Sequence, residues 1–146
     1  MRCFSFTQKT KITMILTFSR QEFKDRIESG KKIHTIRADA HQRWKPGMII
    51  QFWMHNPRNK SKNPHQFMTG QCFGLQDISI VRQSDYLNDT LITIDGHNLT
   101  MAEMQSLAWN DGFANLAEFL MWFKDGFVGK IIHWTDLKYS SDQNEK

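Results

Sequence analysis

Two cysteines stand in the 146 residues, Cys3 and Cys72, too few and too far apart for a disulfide framework or a cysteine-ligated zinc site. A reducing cytoplasm suits such a chain. No apolar run approaches the roughly 20 residues that a membrane-spanning helix needs, and the opening MRCFSFTQKTKIT lacks the apolar centre of a secretory signal. Without that signal, the glycosylation triplets beginning at Asn88 and Asn98 carry no meaning. The six histidines show no metal-ligand spacing such as HxxxH, so neither a metal nor another cofactor is expected. There is no internal repeat and no low-complexity block. What is present is 40% hydrophobic and 12% aromatic residues, enough at this length for one core and one domain. The net charge of +4 and pI near 9.2 favour phosphate-bearing partners without making the chain a nucleic-acid protein. No membrane partner and no obligate protein partner is indicated.

Helix punctuation is legible. Ser19 with Glu22 three residues on, Phe18 opposite Phe23, and Gly30 as a stop predict a helix over about 20–29. Thr100 with Glu103, and Leu99 opposite Met104, predict a second over about 101–109. Asn115 with Glu118, the apolar positions Leu116, Phe119, Leu120 and Phe123, and Gly126 predict a third over about 116–125. The runs TMILTF, IHTIRA, GMIIQFWM, FMTGQCFGLQDISIVRQ, TLITID and GKIIHWTDLKY read as strands, separated by turn pairs such as Pro46-Gly47, Asn88-Asp89 and Asp95-Gly96. This order argues for an α+β fold, a small mixed sheet or partly closed β-barrel with flanking helices. HNPRNKSKNPHQ, residues 55–66, reads as a long mobile hairpin loop. Residues 1–13 are expected to be an extension, either disordered or upstream of a natural start at Met14, with the domain over 14–139 and a frayed tail over 140–146.

The stretch GKKIHTIRAD, Gly30 to Asp39, concentrates Lys31, Lys32, His34 and Arg37 in eight residues. Gly30, Lys32, Thr35 and Arg37 keep the spacing G-x-K-x-x-[E/T]-x-R, and RWKPGMIIQF downstream supplies a Gly47 turn into a strand. From about Leu16 to Tyr139, these features and the paired helices before the closing strand resemble the ASCH family of the PUA-like superfamily. The resemblance implies a small PUA-like β-barrel with flanking helices and a cleft associated with RNA or nucleosides. The GxKxxTxR wording is similar to the small bacterial branch described as N4-acetylcytidine amidohydrolase. Members of that branch use the motif lysine and threonine with a carboxylate from the helical region. The carry-over is to Lys32, Thr35 and, within WNDGFANLAEF, Asp111, where the family usually has glutamate.

The chemistry is coherent on its own terms. A threonine hydroxyl needs a base to become a nucleophile, and a desolvated lysine near other cations can lose its charge and act as one. In a regular strand Lys32 and Thr35 would face opposite sides, so the proposal requires Lys32 to lie in the bend after Gly30. The alternative leaves Lys31 and Lys32 decorating a loop, with Thr35 only a good strand former. Arg37 suits a phosphate or carboxylate ligand, or an ion pair with Asp39 or Asp111. Asp111-Gly112 is also an ordinary turn pair, while Glu103 and Glu118 are explained by capping. Trp44, beside Arg43 and Lys45, is expected at a cleft mouth to bind substrate with Arg43, and the other tryptophans in core or lid. His34 and His133 read as satisfied sheet histidines. Three functions follow: an amidohydrolase of a small N-acylated nucleoside, with Lys32 as base, Thr35 as nucleophile and Asp111 supporting; a single-stranded RNA-binding module, with contacts from Arg58, Lys60 and Lys62; or an ASCH-type ribonuclease.

Overall fold

The computed structural model describes residues 12–82 and 89–140. Most of the expected N-terminal extension, Asn88 of one expected turn and residues 141–146 of the expected tail lie outside the described residues. The elements run β1 (Thr13–Phe18), α1 (Gln21–Glu28), β2 (His34–Arg37), β3 (Ile49–Met54), β4 (His65–Gln71), β5 (Gly74–Arg82), β6 (Thr90–Ile94), β7 (His97–Asn98), α2 (Met101–Asn110), α3 (Leu116–Trp122) and β8 (Phe127–His133). Three helices and eight strands among the described residues make an α+β fold. Thr13 already pairs with Ile49, so the strand begins one residue before the expected boundary at Met14.

The strands divide into two sheets, ordered β1-β3-β4 and β2-β8-β5-β6-β7. No ladder among the described residues joins them into a closed barrel. Within the strand-like run that begins at Phe67, whose last residue Gln83 lies outside the described residues, the chain changes sheets. Cys72 exchanges main-chain hydrogen bonds with the segment before β3, through Cys72 N to Met48 O at 2.8 Å and Gly47 N to Cys72 O at 2.7 Å. One residue later Phe73 N donates to His133 O of the other sheet. Local β-propensity runs through this point, and only the pairing partners change.

Alternation sets the core. Leu16 and Phe18 of β1, Ile50, Phe52 and Met54 of β3, and Ile78 and Ile80 of β5 turn inward, each contributing roughly 1.5–3 kcal/mol of burial. A ring of aromatic contacts runs from Phe23 through Phe113 and Phe119 to Phe123 and Phe127, seating the helix pair on the sheets. Thr100 and Glu103 form the expected capping box of α2, and Asn115 accepts from Glu118 N at the start of α3. α1 departs from expectation. It starts at Gln21 with Arg20 as an N-cap whose side chain makes no cap bond; the Arg20 side chain instead pairs with Glu22 at 2.6 Å, and Ser19 lines a cavity. α3 stops at Trp122, as Phe123 turns extended. The hairpin between β3 and β4 is shorter than 55–66. His65 and Gln66 belong to β4, and Lys60–Lys62 form a 3₁₀ turn. Among the described residues no helix is long and apolar enough to cross a membrane.

Candidate functional site

Gly30, at φ +86°, ends α1, and the following residues cross to the end of α2 before entering a strand. Lys32 N donates to Arg26 O at 2.9 Å and Ile33 N to Asn110 O at 2.9 Å. Lys32 therefore lies in a bend and escapes strand parity. Its side chain and that of Thr35 line the same cavity, of about 250 Å³, with Phe18, Phe23, Arg37, Asp111, Phe113 and Trp122 among the walls. The condition that the sequence placed on the lysine–threonine pair is met.

Asp111 is the C-cap of α2, its N–H donating to Leu107 O at 3.0 Å. Helix ends expose unpaired carbonyls and a partial negative charge, which attract a cation. Lys32 Nζ takes that place, donating to the Asp111 main-chain carbonyl at 2.6 Å and to Asp111 Oδ1 at 3.4 Å. Arg26 reaches the next carbonyl, of Gly112. Gly112 itself sits at φ +93°, and a Cβ there would lie 2.8 Å from Lys32 Cδ. Gly112→Ala is therefore expected to cost roughly 1–3 kcal/mol from backbone strain alone and to displace Lys32 from Asp111. Chemical denaturation and lysine titration of the variant check the two effects separately.

Lys32 is 2% exposed. Burial lowers its pKa from the usual lysine value to about 8, assisted by the charge of Arg37 and opposed by that of Asp111. At pH 7 roughly one molecule in ten then carries a neutral amine. The charged form is favoured by the Asp111 charge and hydrogen bond, and the ammonium also stands 4.9 Å from the Phe23 ring centroid, a cation–π contact of the same sign. Arg37 donates through Nη2 to Thr17 O at 2.7 Å, bridging β2 to β1 where no ladder joins them. Its Nε lies 3.5 Å from Thr35 Oγ1, the only hydrogen-bond contact of that hydroxyl among the described residues. The hydroxyl is thus lightly held and faces the cavity with the amine.

Behind the cavity runs a second tier. His34 Nδ1 lies 3.0 Å from Asp111 Oδ1 and His34 Nε2 lies 2.7 Å from the Tyr139 hydroxyl. Asn110 Nδ2 donates to that hydroxyl at 3.0 Å. The carboxylate accepts, so Nδ1 carries the proton and Nε2 receives the tyrosine O–H. Burial lowers the pKa of His34 despite Asp111 and keeps it neutral.

The sequence-derived set divides. Lys32, Thr35, Arg37 and Asp111 come together. Arg37 forms no ion pair among the described residues, because Asp39 instead accepts from the N–H groups of Arg43 and Trp44 at 2.9 and 3.1 Å. Trp44 does not stand at the mouth of this cavity. It is buried in the core, leaving exposed Arg43 outside the lining, and half-exposed Trp122 is the tryptophan of the cavity wall. Lys31 lies over Trp109, 5.1 Å from its ring, away from the site. Arg58, Lys60 and Lys62 are exposed on the β3–β4 hairpin. His34 is a satisfied sheet histidine as read, yet its partner is the site carboxylate. Its connection to Asp111 spans 77 residues and leaves no local signal, as does that of Tyr139. Among the described residues no group of three or more His, Cys, Asp or Glu side chains is placed to hold a metal.

Fold and site define a small α+β protein with a buried lysine–carboxylate pair opening on an aromatic pocket. Comparison with family models, curated proteins and solved structures returned no match.

Proposed function

We propose that the chain is an ASCH-type, PUA-like amidohydrolase acting on a small N-acylated nucleoside such as N4-acetylcytidine. The observation that carries this reading is the convergence of Lys32, Thr35, Arg37 and Asp111 on one pocket of about 250 Å³, with the lysine held near pKa 8. Neutral Lys32 takes the Thr35 proton as Oγ1 attacks the acyl carbon. The resulting ammonium returns that proton to the departing amine nitrogen as the C–N bond breaks, leaving an acyl-threonine ester. Water then attacks the ester while Lys32 accepts its proton, and the lysine ammonium returns that proton to Thr35 Oγ1 as the ester C–O bond breaks, releasing the carboxylic acid and restoring the hydroxyl and the neutral amine. Arg37, whose Nη1 has no hydrogen-bond partner among the described residues, is the cation beside the developing oxyanion.

A second reading, binding of single-stranded RNA, is favoured by Arg58, Lys60 and Lys62, which are exposed and form no ion pair among the described residues. It needs neither the threonine hydroxyl nor the buried carboxylate. Incubation with N4-acetylcytidine and with single-stranded RNA separates the two. Release of acetate and cytidine by wild type, and its fall to background in Thr35→Val, is the expected result. Valine keeps the shape and strand preference while removing the nucleophile. Retention of RNA with no acetate released would move the binding reading to first place.

A further inference from the structure

The carboxylate of Asp111 holds an unusual position. Both of its hydrogen bonds fall on Oδ1, one from His34 at 3.0 Å and one from Lys32 at 3.4 Å. Oδ2 has no hydrogen-bond partner among the described residues. A lysine and an aspartate side chain buried to 2–3% exposure would ordinarily close to the 2.7–2.9 Å of a charge-assisted bond, because Coulomb attraction is least screened there. Here the shorter lysine bond goes to the main-chain carbonyl of Asp111, and the shorter carboxylate bond goes to histidine.

We propose that His34 is a positioning residue: by donating Nδ1–H to Oδ1 it detains the Asp111 carboxylate from a tight ion pair with Lys32, leaving the amine free to take a proton. The column behind it makes the hold directional. Asn110 donates to the Tyr139 oxygen, Tyr139 donates to His34 Nε2, and the histidine can then offer only Nδ1–H to the carboxylate. Tyr139 stays a donor, since burial raises its pKa well above the ordinary tyrosine value. The groups facing this centre are Arg37 from β2, His133 from β8 at 5.2 Å between ring centroids, Asp111 from α2 and Tyr139 from the terminal segment. Burial lowers His133 to about pKa 3, so it adds no charge between pH 6 and 9.

The role of this residue is argued on the amidohydrolase reading, but its decisive test needs no substrate. The Lys32 side-chain titration is followed by NMR in the full chain for wild type, His34→Gln, His34→Asn and Tyr139→Phe. Glutamine places its amide where Nε2 stood and loses the bond to Asp111, so Oδ1 closes on Nζ and the Lys32 midpoint rises by about one unit or more. Asparagine places its amide where Nδ1 stood and should hold the midpoint near that of wild type. Tyr139→Phe frees the histidine tautomer and should move the midpoint in the same direction as His34→Gln, by less, which serves if the glutamine protein does not fold. In the acetate-release assay His34→Gln should lower kcat at least tenfold at pH 7 with KM changed less than threefold. An unchanged midpoint in both His34→Gln and Tyr139→Phe, or an equal rise in His34→Asn, would overturn the proposal. If wild type releases no acetate while the midpoints move as stated, the positioning role stands and the substrate assignment falls.

Discussion

A Lys32→Met protein is expected to lose roughly 10³-fold in N-acyl hydrolysis, the range general-base removal produces, while its far-UV circular dichroism stays that of wild type. Methionine retains an unbranched stem between Phe18 and Phe23, which the lysine stem and ammonium occupy. It removes the titrating amine with its bonds to the Asp111 carbonyl and carboxylate, so lower stability should accompany an unchanged secondary structure. The wild-type pH profile carries the companion expectation. The active form is the neutral amine, so log kcat/KM should climb by about one per pH unit up to the Lys32 pKa of about 8 and level above it. A profile flat from pH 6 to 8 would remove lysine as the base, whatever the variant does.

Asp111→Asn should act on catalysis and stability in ways that pH separates. The Asp111 charge raises the Lys32 pKa, so its removal moves the ascending limb below pH 8. If the carboxylate also relays protons, the plateau falls by roughly 10²-fold. For stability, a buried base whose folded pKa is depressed binds fewer protons than the unfolded chain, and the fold weakens as pH falls through that window. In wild type the window runs from the ordinary lysine value of 10.5 down to about 8. In the variant it extends lower, adding a loss of about 1.4 kcal/mol per pH unit below 8, bounded by the roughly 3–5 kcal/mol of breaking a buried pair. Urea denaturation at pH 6 and 9 should thus show the larger deficit at pH 6. Asp111→Glu adds a methylene where Oδ1 already reaches both partners and the side chain is 3% exposed, so it should cost stability through overpacking. An equal deficit at both pH values would mean that Lys32 does not feel the Asp111 charge.

The parts of the site that were legible are those whose determinants lie within a few residues. Gly30, Lys32, Thr35 and Arg37 form one short motif, and Asp111 follows a helix whose start Thr100 and Glu103 mark. Trp44 was placed wrongly because flanking charges say where a backbone is wetted, not where a large ring packs. Asp39 holds the Arg43 and Trp44 amides and turns the indole inward. Ser19 also departs from its capping pattern: the helix begins one residue later, at Gln21, and Glu22 pairs with the Arg20 side chain. His34 looked inert because its partners arrive from 77 and 105 residues away.

By itself the sequence determined the kinds and order of the main elements: three helices, the capping of α2 and α3, the strand-forming runs, and Gly30 as the stop of α1. These follow from caps, turn conformations and period-two burial, all local forces. Only the tertiary structure decided that the strands divide into two sheets at Cys72 and Phe73, that Arg37 spans the opening between them, and that Lys32 has its charge weakened. The last is a property of burial, assisted by the Arg37 charge and opposed by a carboxylate 79 residues distant. A lysine's pKa is set by the dielectric and charges around its nitrogen; the motif itself supplies the Arg37 charge, while burial, the largest cause, comes from residues brought together only by the fold.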